Sequence, residues 1–172
     1  MESRAKVLGH AAHPVLIVFP LGLLATAVVF DVVYLATSSS QWSLVAFWLI
    51  AAGIVGGLVA AVPGWIDWFA IPAGTRAKSV GLLHGTGNVV VLILFAVSWL
   101  LRRDAVTGFE MAGEPGTLAL ICSFAGAGLA LMTGWLGGEL IERLGMAVHD
   151  GAHLNAPSSL SGRPAGEDAK SS

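Results

Sequence analysis

Four long apolar runs decide what this chain can become: residues 14–37, 43–65, 80–101 and 117–138. A helix needs about 20 mostly apolar residues to cross a bilayer, and each run meets that length. In hydrocarbon every backbone N–H and C=O must find its partner within the protein, so a lone run of this kind becomes a helix. Composition agrees. Of the 172 residues 55% are hydrophobic and only 12% are charged, against about 25% charged in a soluble domain. The connectors are Ser38–Trp42, "DWFAIPAGTRAKS" and "RRDAVTGFEMAGEPG". Short connectors make successive helices antiparallel neighbours. The expected fold is therefore an all-α integral membrane protein, an antiparallel four-helix transmembrane bundle over residues 14–153. Residues 1–13 are the expected cytoplasmic flank. Residues 154–172, rich in Pro, Ser and Gly and without an apolar pattern, are an expected disordered cytoplasmic tail.

Arg4 and Lys6 before an apolar run imitate a signal peptide. The run is too long for a signal core and three more follow, so it is expected to stay as the first span. Basic residues set the orientation. Arg4, Lys6, Arg76, Lys78 and Arg143 fall on the side of both termini, whereas the other side has Arg102 and Arg103 diluted by Asp104, Glu110 and Glu114. Both termini are thus expected in the cytoplasm. Trp42, Trp48 and Trp99 then mark the outer interface, and Trp65, Trp68 and Trp135 the inner one, as aromatic belts do.

Several function classes drop out. The net charge of −2 gives no footprint for nucleic acid. Cys122 is the single cysteine, so there is neither an intrachain disulfide nor a paired-cysteine metal motif. No phosphate-binding glycine loop, HExxH helix or CxxCH site occurs. No Ser or Cys lies near a plausible base, which argues against a hydrolase and leaves the balance toward a non-enzymatic protein.

Small residues recur at a spacing of four: Gly53, Gly57 and Ala61 in the second span, and Gly126, Ala130, Gly134 and Gly138 in the fourth. Such ridges let helices approach in lipid. Packing within the bundle is the first expectation; a homodimer or a partner membrane protein is the other use.

Once the spans are placed by depth, four ionisable residues from four helices fall near one level on the cytoplasmic side: His13, Asp67, His84 and Glu139. Asn88 lies one turn beyond His84 on the same face. Ionisable groups at membrane depth mark functional sites by default; helix capping, snorkelling and pairing with Arg76, Lys78 or Arg143 is the plainer use of the same residues. Imidazole binds Zn, Fe and Cu, so His13 and His84 are the candidate ligands of one b-type haem. His13, Asp67, His84 and Glu139 are the candidate set for a metal ion. Pro14 suits the first helical position and leaves His13 as a cap. Pro20 cannot donate to the carbonyl of Leu16 and should kink the first span one turn in. His10 is expected in solvent, and His149 and His153 make a weak pair. Asp31 near the outer end of the first span lacks an obvious partner, with Arg102 or Arg103 as candidates.

Four segments carry a resemblance: "HPVLIVFPLGL" (13–23), "GWIDW" (64–68), "HGTGN" (84–88) and "GWLGGELIERLG" (134–145). In this order they resemble the bacterial membrane-protein family labelled domain of unknown function 2231, over nearly all of residues 9–148. The resemblance implies four spans in a bacterial cytoplasmic membrane and no established activity. It carries over His13, Pro14, Phe19, Pro20, Asp67, His84, Asn88, Gly137, Gly138 and Glu139. The family's His before Phe-Pro is Val18 here, so if that His is an essential ligand, either the site is lost or His10 replaces it. Three functions remain: a redox or electron-transfer protein with one haem or metal, a membrane scaffold or accessory subunit, and, last, a small ion or proton transporter.

Overall fold

In a computed structural model, residues 1–111 and 113–167 are described. A first helix, α1 (Ala12–Leu16), passes at Ile17 into α2 (Val18–Thr37). The chain then forms α3 (Ser40–Ala70), α4 (Arg76–Arg102) and α5 (Thr117–Gly138). Four helical stretches, 12–37, 40–70, 76–105 and 117–143, have the length and apolarity to cross a membrane. The break between α1 and α2 has the expected cause. Pro20 has no N–H for the carbonyl of Leu16, and the helical hydrogen bonding is interrupted at that turn while Ile17 keeps helical dihedrals.

The helices run up and down, each against the next. The widest contacts join α2 to α3 and α4 to α5; α3 meets α4, and α2 touches α5. The core is slender. Leu24, Ala27, Ala46, Ile50, Val91 and Phe95 fill it, while many larger apolar side chains, such as Leu131, Met132 and Phe69, face outward. That inversion suits a bundle whose solvent is lipid. Glycines set the spacing. A Cβ on Gly53 would stand 2.5 Å from Leu24, on Gly57 2.6 Å from Leu92, and on Gly126 2.9 Å from Phe95. Both expected ridges therefore pack within the chain over these stretches. Around Gly134 and Gly138 there is open space.

The two ends are built differently. At the end away from the termini, five polar residues are wholly buried: Asp31, Ser43, Ser98, Arg102 and Ser123. Arg102 grips Asp31 with both terminal nitrogens, at 2.6 and 2.8 Å. Its remaining donors reach Ser43, Ser98 and Ser123. All five guanidinium N–H donors are thus used, and every span contributes an acceptor. Asp31 has its partner, and it is Arg102. A short hairpin of Val106–Thr107 with Glu110–Met111 lies beyond α4 at this end. Its Phe109 packs on Trp48, beside the stack of Phe47 on Trp99.

At the end with the termini, a second hairpin, Lys6–Val7 with His10–Ala11, precedes α1. Trp65, Trp68 and Phe69 cluster here, with the Lys78 ammonium 3.8 Å above the Trp68 ring. A π-turn at Glu139–Arg143 ends α5. Of the expected tail, residues 154–167 have one 3-10 turn at Ser159–Ser161 as their regular structure; residues 168–172 lie outside the described part.

Candidate functional site

His13 and His84 come together. Their ring centres are 6.2 Å apart with planes nearly perpendicular, although the residues sit on α1 and α4. The same device holds each ring. His13 Nδ1 bonds the carbonyl of Ala60 at 2.8 Å, and its ring rests where a side chain on Gly64 would be, 2.9 Å from a built Cβ. His84 Nδ1 bonds the carbonyl of Thr133 at 2.8 Å, and its ring rests on Gly137, 3.1 Å from a built Cβ. In both cases the glycine follows the accepting carbonyl by four residues. Side chains in a helix lean toward its N-terminus, so residue i+4 normally shields the carbonyl of residue i. Glycine at i+4 leaves that carbonyl open, and its second lone pair takes the imidazole.

The tautomer follows from the partner. A carbonyl only accepts, so Nδ1 carries a proton in each ring, and in that neutral tautomer Nε2 is the lone-pair atom. Metal-binding histidines are oriented by such second hydrogen bonds. Asn88 completes the arrangement around His84. Its Nδ2 donates to the carbonyl of His84 at 2.8 Å and stands 3.4 Å from Nε2. Its Oδ1 accepts from Thr133 Oγ1 at 3.0 Å, so Thr133 and Asn88 tie α4 to α5 at the ring.

The other two members of the expected metal set go elsewhere. Helix α3 continues to Ala70, so Asp67 lies in its last turn rather than after it. Its carboxylate accepts the Ser3 hydroxyl at 2.6 Å and the amides of Arg4 and Ala5 at 2.7 and 3.2 Å. It is an anchor for the N-terminal segment. Glu139 pairs with Arg76 at 2.6 Å. Among the described residues, no three His, Cys, Asp or Glu side chains gather closely enough to share a metal ion. Equal depth did not mean adjacency. Pro14 lies within α1, and Pro20 packs 3.3 Å from a built Cβ on Gly56. Val18 is 64% exposed, so a side chain at that position faces away from the pair. His10 bonds Ser159 Oγ and stays outside it. Gly64 and Thr133 are additions to the expected site residues, and Gly137 enters it from the resemblance; the signals in the sequence are the glycine that opens "GWIDW" and the first of the two in "LGGEL".

No curated protein and no solved structure matches the chain. One family model does, that of the predicted membrane proteins designated DUF2231, over residues 9–150. That stretch contains both histidines, both cradling glycines and the whole four-helix bundle, and the chain belongs to this family.

Proposed function

We propose that the protein is a redox or electron-transfer membrane protein whose His13 and His84 ligate one metal centre, a b-type haem or a transition ion. One observation carries the reading: two imidazoles from different helices, each fixed through Nδ1 to a backbone carbonyl, with Nε2 left as the lone-pair atom and ring centres 6.2 Å apart. A core satisfying its histidines for packing alone has no need to hold two in the same tautomer side by side. Metal–nitrogen bonds of about 2.0–2.1 Å put two imidazole nitrogens on one ion within about 4 Å of each other, a span that suits rings this close. Asp67 and Glu139 are not part of this ligand pair in our reading, since both have other partners. Haem iron takes axial histidines whose surroundings tune its potential; a bare transition ion would fill its remaining positions with water.

The reading also places the chain in a bacterial cytoplasmic membrane with both termini inside, supported by Arg4, Lys6, Arg76, Lys78 and Arg143 at the terminal end. The alternative is a scaffold or accessory subunit, with a homodimer or another membrane protein seated at Gly134 and Gly138, where space is open. Spectra and metal content of the purified protein separate the two. A Soret band or a stoichiometric metal in the wild type, lost in His84→Ala, supports the ligand reading. A colourless, metal-free preparation from haem- and metal-replete cells overturns it.

A further inference from the structure

The connector between α4 and α5 folds into the hairpin of Val106–Thr107 with Glu110–Met111, and its two-residue turn is Gly108–Phe109. Gly108, at φ +62, takes the first turn position, which one kind of two-residue hairpin loop gives to glycine. Alternation along the strands sorts the side chains. Val106 and Met111 are half-buried, Thr107 and Glu110 are exposed, and the Glu110–Met111 strand lies against α3. Phe109 breaks this order: it is apolar, sits at the tip and is 83% exposed.

Its ring ends a row of four. Trp99 stacks on Phe47 at 5.4 Å, Phe47 meets Trp48 edge to face at 5.2 Å, and Trp48 meets Phe109 at 5.7 Å. The row runs outward, from Phe47 at 4% exposure through Trp48 at 44% to Phe109. Trp48 fixes its depth. From residue 43, where the apolar run begins, to residue 48 the helix rises about 7.5 Å. Trp48 is therefore inside the run, on an outward face of a helix long and apolar enough to span the membrane. The surroundings of that face are lipid. A ring lying on Trp48 is drawn to the boundary of acyl chains and headgroups, the level at which aromatic side chains gather.

We propose that this hairpin is a membrane-surface anchor: Phe109 enters the headgroup–acyl boundary of the leaflet at the end away from the termini, and its partner there is phospholipid. One ring on a two-residue turn is too small a patch for a stable contact with another protein, which needs about 1,000 Å². It is enough for a bilayer, which the four spans already hold in place beside it. Glu110, next to Phe109, limits the depth, because a carboxylate is costly in hydrocarbon and stays among the hydrated headgroups. The anchor keeps the α4–α5 connector flat along α3. The proposal is independent of any metal at His13 and His84.

Photocrosslinking identifies the partner. In the full chain Phe109 is replaced by p-benzoylphenylalanine, which keeps an aromatic ring at the tip; a second variant carries the same residue in place of Thr107. Both positions are exposed, so neither substitution disturbs the bundle. Each protein is reconstituted in phosphatidylcholine vesicles, irradiated and weighed by mass spectrometry. Position 109 should give the chain plus one phospholipid, in a yield several-fold above that at position 107. Equal lipid adduct at the two positions overturns the anchor. So does a chain–chain adduct as the main product at 109, which assigns the tip to a second copy, and so does a lack of lipid adduct at 109, which leaves the ring in water.

Discussion

At the residue scale, the glycines beneath the two histidines make the sharpest test. Gly64→Ala puts a Cβ 2.9 Å from the His13 ring. The ring must move off the Ala60 carbonyl, at a cost typical of overpacking, about 1–3 kcal/mol. Gly22→Ala is the matched control: nothing lies within 4 Å of its built Cβ, and helix propensity alone should stabilise it by up to about 1 kcal/mol. Thermal unfolding in one detergent should therefore move in opposite directions for the two alanines. Asp67 gives the second residue-scale prediction. Asp67→Ala leaves the Arg4 and Ala5 amides without their acceptor, and about 1–3 kcal/mol of docking is lost. Trypsin cleavage at Arg4 and Lys6 should then rise by about fivefold to a hundredfold, at 1.4 kcal/mol per decade, with the bundle intact by circular dichroism.

What the sequence showed at this scale was depth and no more. His13 and His84 share a level and do meet. Asp67 and Glu139 share it too, yet the first is taken by three donors from residues 3–5 and the second by Arg76. Depth follows from counting residues along a span; azimuth depends on how the helices turn about one another, and no spacing in a single run reveals it. The cradles were hidden for a related reason. A glycine in an apolar helix looks like a packing residue until the ring resting on it is seen.

Among the elements, the spans were plain because apolar length is a direct physical requirement of the bilayer. Their ends were less so. Helix α3 outruns its apolar window to Ala70 and the last span ends in a π-turn, because water beyond the hydrocarbon lets a helix continue through polar residues. The junction of elements that matters most is Arg102 on α4 with Asp31 on α2. Removing one partner strands a buried charge, and Arg102→Met alone should cost about 3–5 kcal/mol. Replacing both, as Asp31→Leu with Arg102→Met, should recover most of that loss, since a well-packed apolar pair often matches a buried ion pair. A double-mutant cycle by denaturation in mixed micelles reads both. Equal destabilisation by the single and double variants would show that the serines, rather than the charges, hold the junction.

For the whole molecule, the two ends differ in kind. One is closed by a saturated guanidinium bonded from all four spans; the other is held by a carboxylate anchor on the N-terminal segment and by exposed ion pairs. Motion should therefore concentrate at the end with the termini. Hydrogen exchange in bicelles should show amides of residues 3–11 exchanging at least tenfold faster than those around Ser98 and Ser123, in keeping with the low opening cost of peripheral segments. The orientation proposed from the basic residues is checked on the same scale: a reporter active only in the cytoplasm should work at the C-terminus and fail when placed after Gly108.

The saturated Arg102 also sets an order in time. Asp31 emerges from the ribosome with the first span, but its partner Arg102 arrives about 70 residues later, at the close of the third. Until then the first span carries an unmatched acid at membrane depth, which lipid tolerates poorly. The early spans must wait, beside the insertion machinery or in a shallow position, for the third to be made. A chain cut short after the second span is left with that acid exposed, a mark by which cellular quality control can tell an unfinished copy from a finished one.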